Sequence, residues 1–403
     1  MAKRIALIPA PVVHPHGWRR CVCAAALLWS GAGLAEFETS EWGGAEIVYN
    51  SNVFEAASGQ DGLRQDGNDE AADTIMRFQG GARVVETLGQ QKLRATGQVG
   101  QVMFQRFGEL DHVEHHLDGA FDWKLGSVVD GEVEYRHDRR RATFAEVDNS
   151  VLTLQTEQAG RASLNAMATP SWRVESGIER RVSDLPLPDG REFRFSEDTG
   201  RVGLKFLGLA RVTAGLAAEA ARGEFSGLAD AATYDQFSLK LAATYAHSEE
   251  SRLEGELGMV QRTQQPSGSG EDSKVNTLEG KLAYKRAFTV KSSAEVELFR
   301  RVESYLAGSS ALVETGVAAA AAWLATEKIA AHARAGLTRG EFQTEQGRVD
   351  DYYHAGVDVG YQVLDWCLLR AFGEYRERAS NLAEGEFAAT IAGLELRLQF
   401  QQQ

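Results

Sequence analysis

Eight short polar turns recur about every 40 residues, centred near Gly89, Gly126, Pro170, Gly208, Ser248, Arg286, Thr326 and Asp365. Two stretches of alternating apolar and polar residues flank each turn, and longer polar segments separate the pairs. Side chains of an extended chain point alternately to opposite faces, so such stretches are strands with one apolar and one polar face. Two strands, a turn and a loop make up the repeat. Eight turns and nine longer connections imply 18 strands, with both chain ends on the short-turn side.

The alternation holds around the turns. Met76, Phe78, Ala82 and Val84 oppose Arg77, Gln79 and Arg83, and Leu253, Leu257 and Met259 oppose Arg252, Glu254 and Glu256. Tyr353, Val357, Val359 and Tyr361 oppose His354, Asp358 and Gln362, and Val290, Val296 and Leu298 oppose Lys291, Glu295 and Glu297. So many strands with a charged face exceed what a sandwich surface needs and suit a wet lumen. The expected fold is all-β: a single antiparallel transmembrane β-barrel of about 18 strands. It has short periplasmic turns and longer extracellular loops. Leu209–Ala221 and Val317–Leu337 are rich in alanine, the best helix former. The period of two in Val317, Ala319, Ala321 and Trp323 decides for strands there as well.

Thr390–Phe400 reads as the closing strand. Leu394, Leu396, Leu398 and Phe400 share one face, while Glu395, Arg397 and Gln399 share the other. Gly393, Leu394, Leu396, Leu398 and Phe400 resemble the C-terminal signal by which assembly machinery recognises barrels, with Gln401–Gln403 as an added tail. Phe400→Asp is expected to block membrane insertion, read as loss of protein from the membrane fraction; trimming the three glutamines is expected to be tolerated.

Residues 1–35 read as a secretory signal. Lys3, Arg4, Arg19 and Arg20 precede an apolar run from Cys21 to Trp29, and small residues at Gly33 and Ala35 suit cleavage. Residues 36–403 are then the barrel. Cleavage leaves a net charge of −18 and Cys367 as the sole cysteine. An exported chain without a disulfide framework fits a barrel closed by hydrogen bonds. The acidic charge argues against nucleic-acid partners. No apolar run is long enough for a transmembrane helix. The expected location is the outer membrane of a Gram-negative bacterium.

Arg77, Arg83, Arg94, Arg136, Arg173, Arg181, Arg334, Arg370 and Arg397 are expected to point into the lumen, together with Glu132, Glu175, Glu254, Glu295 and Glu395. Two readings stand side by side. A mutually paired wall would stiffen the barrel, since a desolvated charge needs a partner. A charged wall would also make a path for a hydrophilic solute. His112, His115 and His116 lie among acids, but residues four apart on a strand are separated by about 13 Å. One zinc ion holds its ligands at about 2 Å, so one strand cannot make the site. Asp350, Asp351 and His354 at a rim could activate water, but no partnered nucleophile is evident. No phosphate loop, dinucleotide fingerprint, zinc-protease motif or nucleophile elbow occurs, so neither a cofactor nor enzymatic activity is expected.

Ile47-Val-Tyr-Asn-Ser-Asn-Val-Phe54, then Asp73-Thr-Ile75 and Leu88-Gly-Gln-Gln91, resemble the opening of the EpsL-type outer-membrane proteins of exopolysaccharide operons and of related β-barrel porins. Gln90 stands where that family often has arginine, and so does Glu55. The resemblance covers about 50 residues and carries over no catalytic residue. It implies a barrel and a role in moving extracellular polysaccharide across the outer membrane. Partners would be outer-membrane lipid, the assembly machinery, polysaccharide and periplasmic export components. Alternatives are a general or solute-specific porin and a non-transporting surface or adhesion barrel. Ser51–Asp73, the longest loop, is the candidate plug.

Overall fold

A computed structural model of the chain describes residues 35–55, 71–142, 152–186, 191–227, 232–266, 272–305, 310–343, 347–382 and 386–402. The signal segment, save residue 35, lies outside them. The strands are β1 (Ala35–Asn50), β2 (Asp73–Leu88), β3 (Gln91–Phe104), β4 (His112–Leu125), β5 (Val129–Arg141) and β6 (Leu154–Thr169). They continue as β7 (Trp172–Pro186), β8 (Glu192–Phe206), β9 (Val212–Ser226), β10 (Ala232–Ala246), β11 (Ser251–Pro266) and β12 (Ser273–Thr289). The last six are β13 (Ser292–Tyr305), β14 (Ser310–Leu324), β15 (Ile329–Phe342), β16 (Val349–Leu364), β17 (Cys367–Ser380) and β18 (Phe387–Gln402).

Consecutive strands pair antiparallel, and β18 pairs with β1 from Thr39↔Gln402 to Asn50↔Ile391, closing an 18-stranded barrel. Closure leaves no sheet edge, the condition for a sheet to cross lipid. Both alanine-rich segments are strands in β9, β14 and β15. Gly89 and Gly126 take φ of 63° and 64° at their turns, where a side chain would be strained.

One expected turn is misplaced. β12 runs through Arg286, and the chain reverses at Val290–Lys291 instead. Thr289 sets the turn: its Oγ1 accepts from the Lys291 amide at 3.1 Å and lies 2.8 Å from Ser292 Oγ. Val290 is 98% exposed and belongs to no strand face. Several strands also outrun their expected ends: Asp138–Arg141, Arg222–Ser226 and Thr263–Pro266 are strand, not loop.

The outer face carries the exposed apolar rows, among them Leu239, Leu241, Leu257, Met259, Leu278 and Leu282. Aromatic residues bound them: Phe237 and Tyr245 on β10, and Tyr353 and Tyr361 on β16. Each pair is about 26 Å apart along its strand at about 3.3 Å per residue. A tilt of about 40° makes that about 20 Å of membrane normal, near the apolar band of such barrels. An apolar belt of this height on a closed barrel needs lipid around it. The chain is an outer-membrane-type β-barrel.

Above the belt the two faces exchange character. On β8, Val202, Leu204 and Phe206 point outward, but Phe193 and Phe195 are in phase with the inward Glu197, Arg201 and Lys205. The same reversal places Leu185 on β7, Phe225 on β9 and Tyr234 on β10 inside, while Arg180–Asp198 and Arg222–Asp235 pair on the outer face. Water wets both sides of the strands beyond the lipid, so apolar side chains there turn inward and make a core.

Candidate functional site: the barrel interior

All fourteen charged residues expected in the lumen fall on the strand phase opposite the lipid-facing rows. Most are paired across strands. Arg77 meets Glu46 at 2.9 Å and Glu114 at 3.1 Å, and Arg94 meets Asp122 at 3.1 Å and Glu132 at 2.8 Å. Arg173 lies 2.7 Å from Asp130 and 3.7 Å from Glu175, which also takes Lys205 at 3.6 Å. Arg136 pairs with Glu134, Arg181 with Glu197, and Arg370 with Glu395. Glu374 takes both Arg334 and Arg376. Lys285 bridges Glu254 and Glu295. Arg397 reaches over the Trp42 ring at 6.0 Å, and Arg83 has no ion pair among the described residues.

Sequence reasoning missed further members of this wall. Lys240 sits between Glu219 at 3.5 Å and Glu279 at 3.0 Å, so its charge is more than neutralised. Trp42 lies flat on Gly81, where an added Cβ would come within 2.4 Å of the ring. His354, which the sequence already set on the polar face of its strand, covers Gly336 in the same way. Each glycine supplies the space for an aromatic side chain of the next strand.

The outer mouth is different. Phe193, Phe195, Phe225 and Tyr234 form a buried cluster with Leu185, Ala142 and Ala232. Phe225 lies 4.9 Å from Phe195 and 5.9 Å from Tyr234, ring centre to ring centre. Arg262 stacks on Tyr234 at 3.5 Å, and the Tyr234 hydroxyl donates to Glu197. Burial first, and Glu197 second, push the Tyr234 phenol up, so it stays a neutral donor. This cluster lies above the apolar belt.

A second cluster holds Val53, Phe54, Val102, Phe104, Phe107 and Leu110. Here the segment that carries the family resemblance gains a structural role. The Ser51 amide donates to Thr390 O at 3.0 Å, the Thr390 amide to Ser51 Oγ at 2.8 Å, and Asn52 Nδ2 to Ala388 O at 3.1 Å. These bonds tie β1 to β18 at the closure seam, and Val53 and Phe54 then enter the mouth. Asp73 carries the cluster's far side, its carboxylate accepting from the Arg106 and Phe107 amides at 3.0 Å each. The candidate plug therefore contributes its first described residues to the mouth; residues 56–70 lie outside the description.

The remaining sequence candidates disperse. His112 is buried with Nδ1 2.8 Å from Leu110 O, and His116 Nδ1 lies 2.5 Å from Asp138, both inside. His115 points outward and meets His137, Nε2 to Nε2, at 2.9 Å with ring centres 5.0 Å apart. Ring centres that far apart put the two nitrogens head to head, as in an N–H···N hydrogen bond rather than a chelate. Asp350 is buried under Arg348 and Ser380, while Asp351 faces the other way toward Arg339. The rim acids thus do not share a face, and neither set assembles a reactive centre. At the far end, Gly393 lies under Phe372, Leu394, Leu396 and Phe400 point outward, and Phe400 stacks on Trp366 at 6.1 Å.

No protein-family model and no curated protein matches the sequence. Solved structures do match in fold. The copper transporter OprC is similar over 88% of this chain with a TM-score of 0.51 at 11% identity. This chain spans 64% of that protein's length. The ferric-catecholate import receptor Fiu from E. coli K12 covers 89% of this chain and is itself covered to 81%, at 8% identity and a TM-score of 0.50. OpdK of Pseudomonas aeruginosa, solved with vanillate, matches 90% of this chain and 99% of its own, at 12% identity and a TM-score of 0.48. At these identities the likeness to OprC and Fiu establishes the barrel fold alone.

Proposed function

We propose that this barrel is an outer-membrane channel for a hydrophilic solute, and that its cargo is extracellular polysaccharide. The observation that carries the channel reading is the inner wall. Charged residues of both signs ring it on nearly every strand, an arrangement that keeps a lumen wet rather than packed. Barrels of this strand count are wide enough for water unless something fills them. The fold neighbours named above include a transporter and an import receptor, which supports passage over catalysis.

The polysaccharide reading is supported by the resemblance at Ile47–Phe54 and Leu88–Gln91. A general or solute-specific porin is the second reading, and a wall carrying charges of both signs, which selects no single ionic class, favours the general one. Barrel-assembly machinery and periplasmic export components complete the proposed partners.

Planar-bilayer recording of the mature protein tests the channel, with discrete conductance steps expected. A barrel that never conducts sinks both readings. Deleting the gene is expected to lower secreted polysaccharide; unchanged secretion removes that cargo and leaves the porin.

A further inference from the structure

Register sets many inward arginines opposite an acid. Arg77 faces Glu46, Arg161 faces Glu134 and Glu179, and Arg201 faces Glu219. Two arginines depart from this. Arg83 faces Ser40 on β1 and Thr96 on β3, and Arg397 faces Gly44 on β1 and Leu368 on β17. The acids beside them are engaged elsewhere. Glu395 takes Arg370 at 3.2 Å, Glu46 takes Arg77 at 2.9 Å, and Asp118, beyond Thr96, faces Arg136. Glu38, one inward step below Ser40, and Asp365, at the β16–β17 turn, are ion-paired to neither arginine among the described residues. The Nε of Arg397 is buried and has no hydrogen-bond partner. Arg77, Arg94, Arg173 and Arg370 share that feature, but each also holds a carboxylate. Arg397 holds only the Trp42 ring, at 6.0 Å, the far limit of such contacts. A charged donor left open in this way is costly, and an anion in the lumen would recover that cost.

Trp42 stands between the two. It is one inward step from Gly44 and one from Ser40, so Arg397 flanks it from above and Arg83 from below. The space over Gly81 lets the indole lie flat on the wall, half-buried, with one face covered and the other toward the lumen. Amides border this plate. Gln399 faces Trp42 across the β1–β18 rung, and beside Gly81 the Gln98 Nε2 donates to Gln79 Oε1 at 3.1 Å. Each part suits one feature of the same class of solute. An indole face packs on the flat C–H face of a pyranose ring by dispersion. Amides give hydrogen bonds to hydroxyl groups and accept them. A guanidinium fork holds a carboxylate through two parallel bonds.

We propose that Trp42, Arg83 and Arg397 form a binding site in the lumen for a carboxylate-bearing sugar, such as the uronate unit of an acidic polysaccharide. The site rests on the channel reading for access and deepens the polysaccharide reading. In the test, tetragalacturonate is titrated into the full-length mature barrel in detergent, with maltotetraose as the uncharged oligomer. Calorimetry measures affinity, and tryptophan fluorescence locates the binding. The wild type is expected to bind tetragalacturonate and not maltotetraose, with a fluorescence change that Trp42→Phe abolishes. Arg83→Gln with Arg397→Gln is expected to weaken the affinity by about tenfold or more, the size of a lost charge-assisted hydrogen bond. Arg161→Gln with Arg201→Gln, elsewhere on the wall, is expected to leave it unchanged. Absence of binding by the wild type, equal binding of maltotetraose, a fluorescence change that survives Trp42→Phe, or equal affinities in the two arginine variants overturns the site. Planar-bilayer recording separates this from the channel reading. Conductance without binding leaves the channel and removes the site; binding without conductance supports the site and removes the channel. Heat-modifiable gel migration confirms that each variant is folded.

Discussion

The outer mouth and the mid-barrel wall are built from the same strands, yet their inner faces carry opposite chemistry. Along β8 the inward row reads Phe193, Phe195, then Glu197, Arg201 and Lys205. Along β10 it reads Tyr234 before Lys240. In mid-barrel the outer neighbour is lipid, so the apolar residues go out and the charges face the lumen. Above the lipid both faces meet water, and only the interior can shelter apolar groups. The lesson is that inward does not mean polar in this barrel. The surroundings of the outer face decide what the inner face holds.

This contrast predicts that truncation in the mouth costs far more than neutralisation in the wall. Phe195→Ala removes a fully buried ring in contact with Phe225. It is expected to destabilise by about 3–5 kcal/mol, read from denaturant unfolding in detergent or lipid. A cost within that of the wall variants would mean that the mouth is no core.

Gly81→Ala tests the wall's tightest contact. Its Cβ would meet the Trp42 ring at 2.4 Å and Gly97 O at 2.6 Å. The expected loss is about 1–3 kcal/mol, with Trp42 fluorescence shifted as the ring is displaced. Glu374→Gln is expected to be milder, about 1 kcal/mol or less, because both arginine partners are largely solvated. Its larger effect is on selectivity: two freed guanidinium groups should shift reversal potentials toward anions. Val290→Asp, at the fully exposed turn, should change stability by less than about 0.5 kcal/mol. A large effect there would instead restore Val290 to a packed strand face.

Much of the wall was legible because the period of two survives every local propensity. Strand number, most turns and the phase of Arg77, Arg94, Arg173 and Glu395 all follow from it. The Arg286 turn was not legible, since arginine flanked by Lys285 and Ala287 carries no turn chemistry, whereas the Thr289 hydroxyl that sets the real turn acts only once the chain is reversed. The mouth left a signal that alternation alone hides: apolar residues change parity within one strand. Phe193 and Phe195 are odd-numbered, while Val202 and Leu204 of the same strand obey the even phase of the lipid face.

The sequence by itself determined the barrel, because alternation, turn spacing and the absence of a long apolar run leave no other way to satisfy every backbone group in lipid. Only the tertiary structure decided which charge meets which, that Ser51 and Asn52 fasten the closing seam, and that β13 leaves β12 above Gly280. Those outcomes depend on register and curvature between strands far apart in the chain. A periodic pattern fixes the face of each side chain, but it does not carry the contacts that faces make once the sheet has closed on itself.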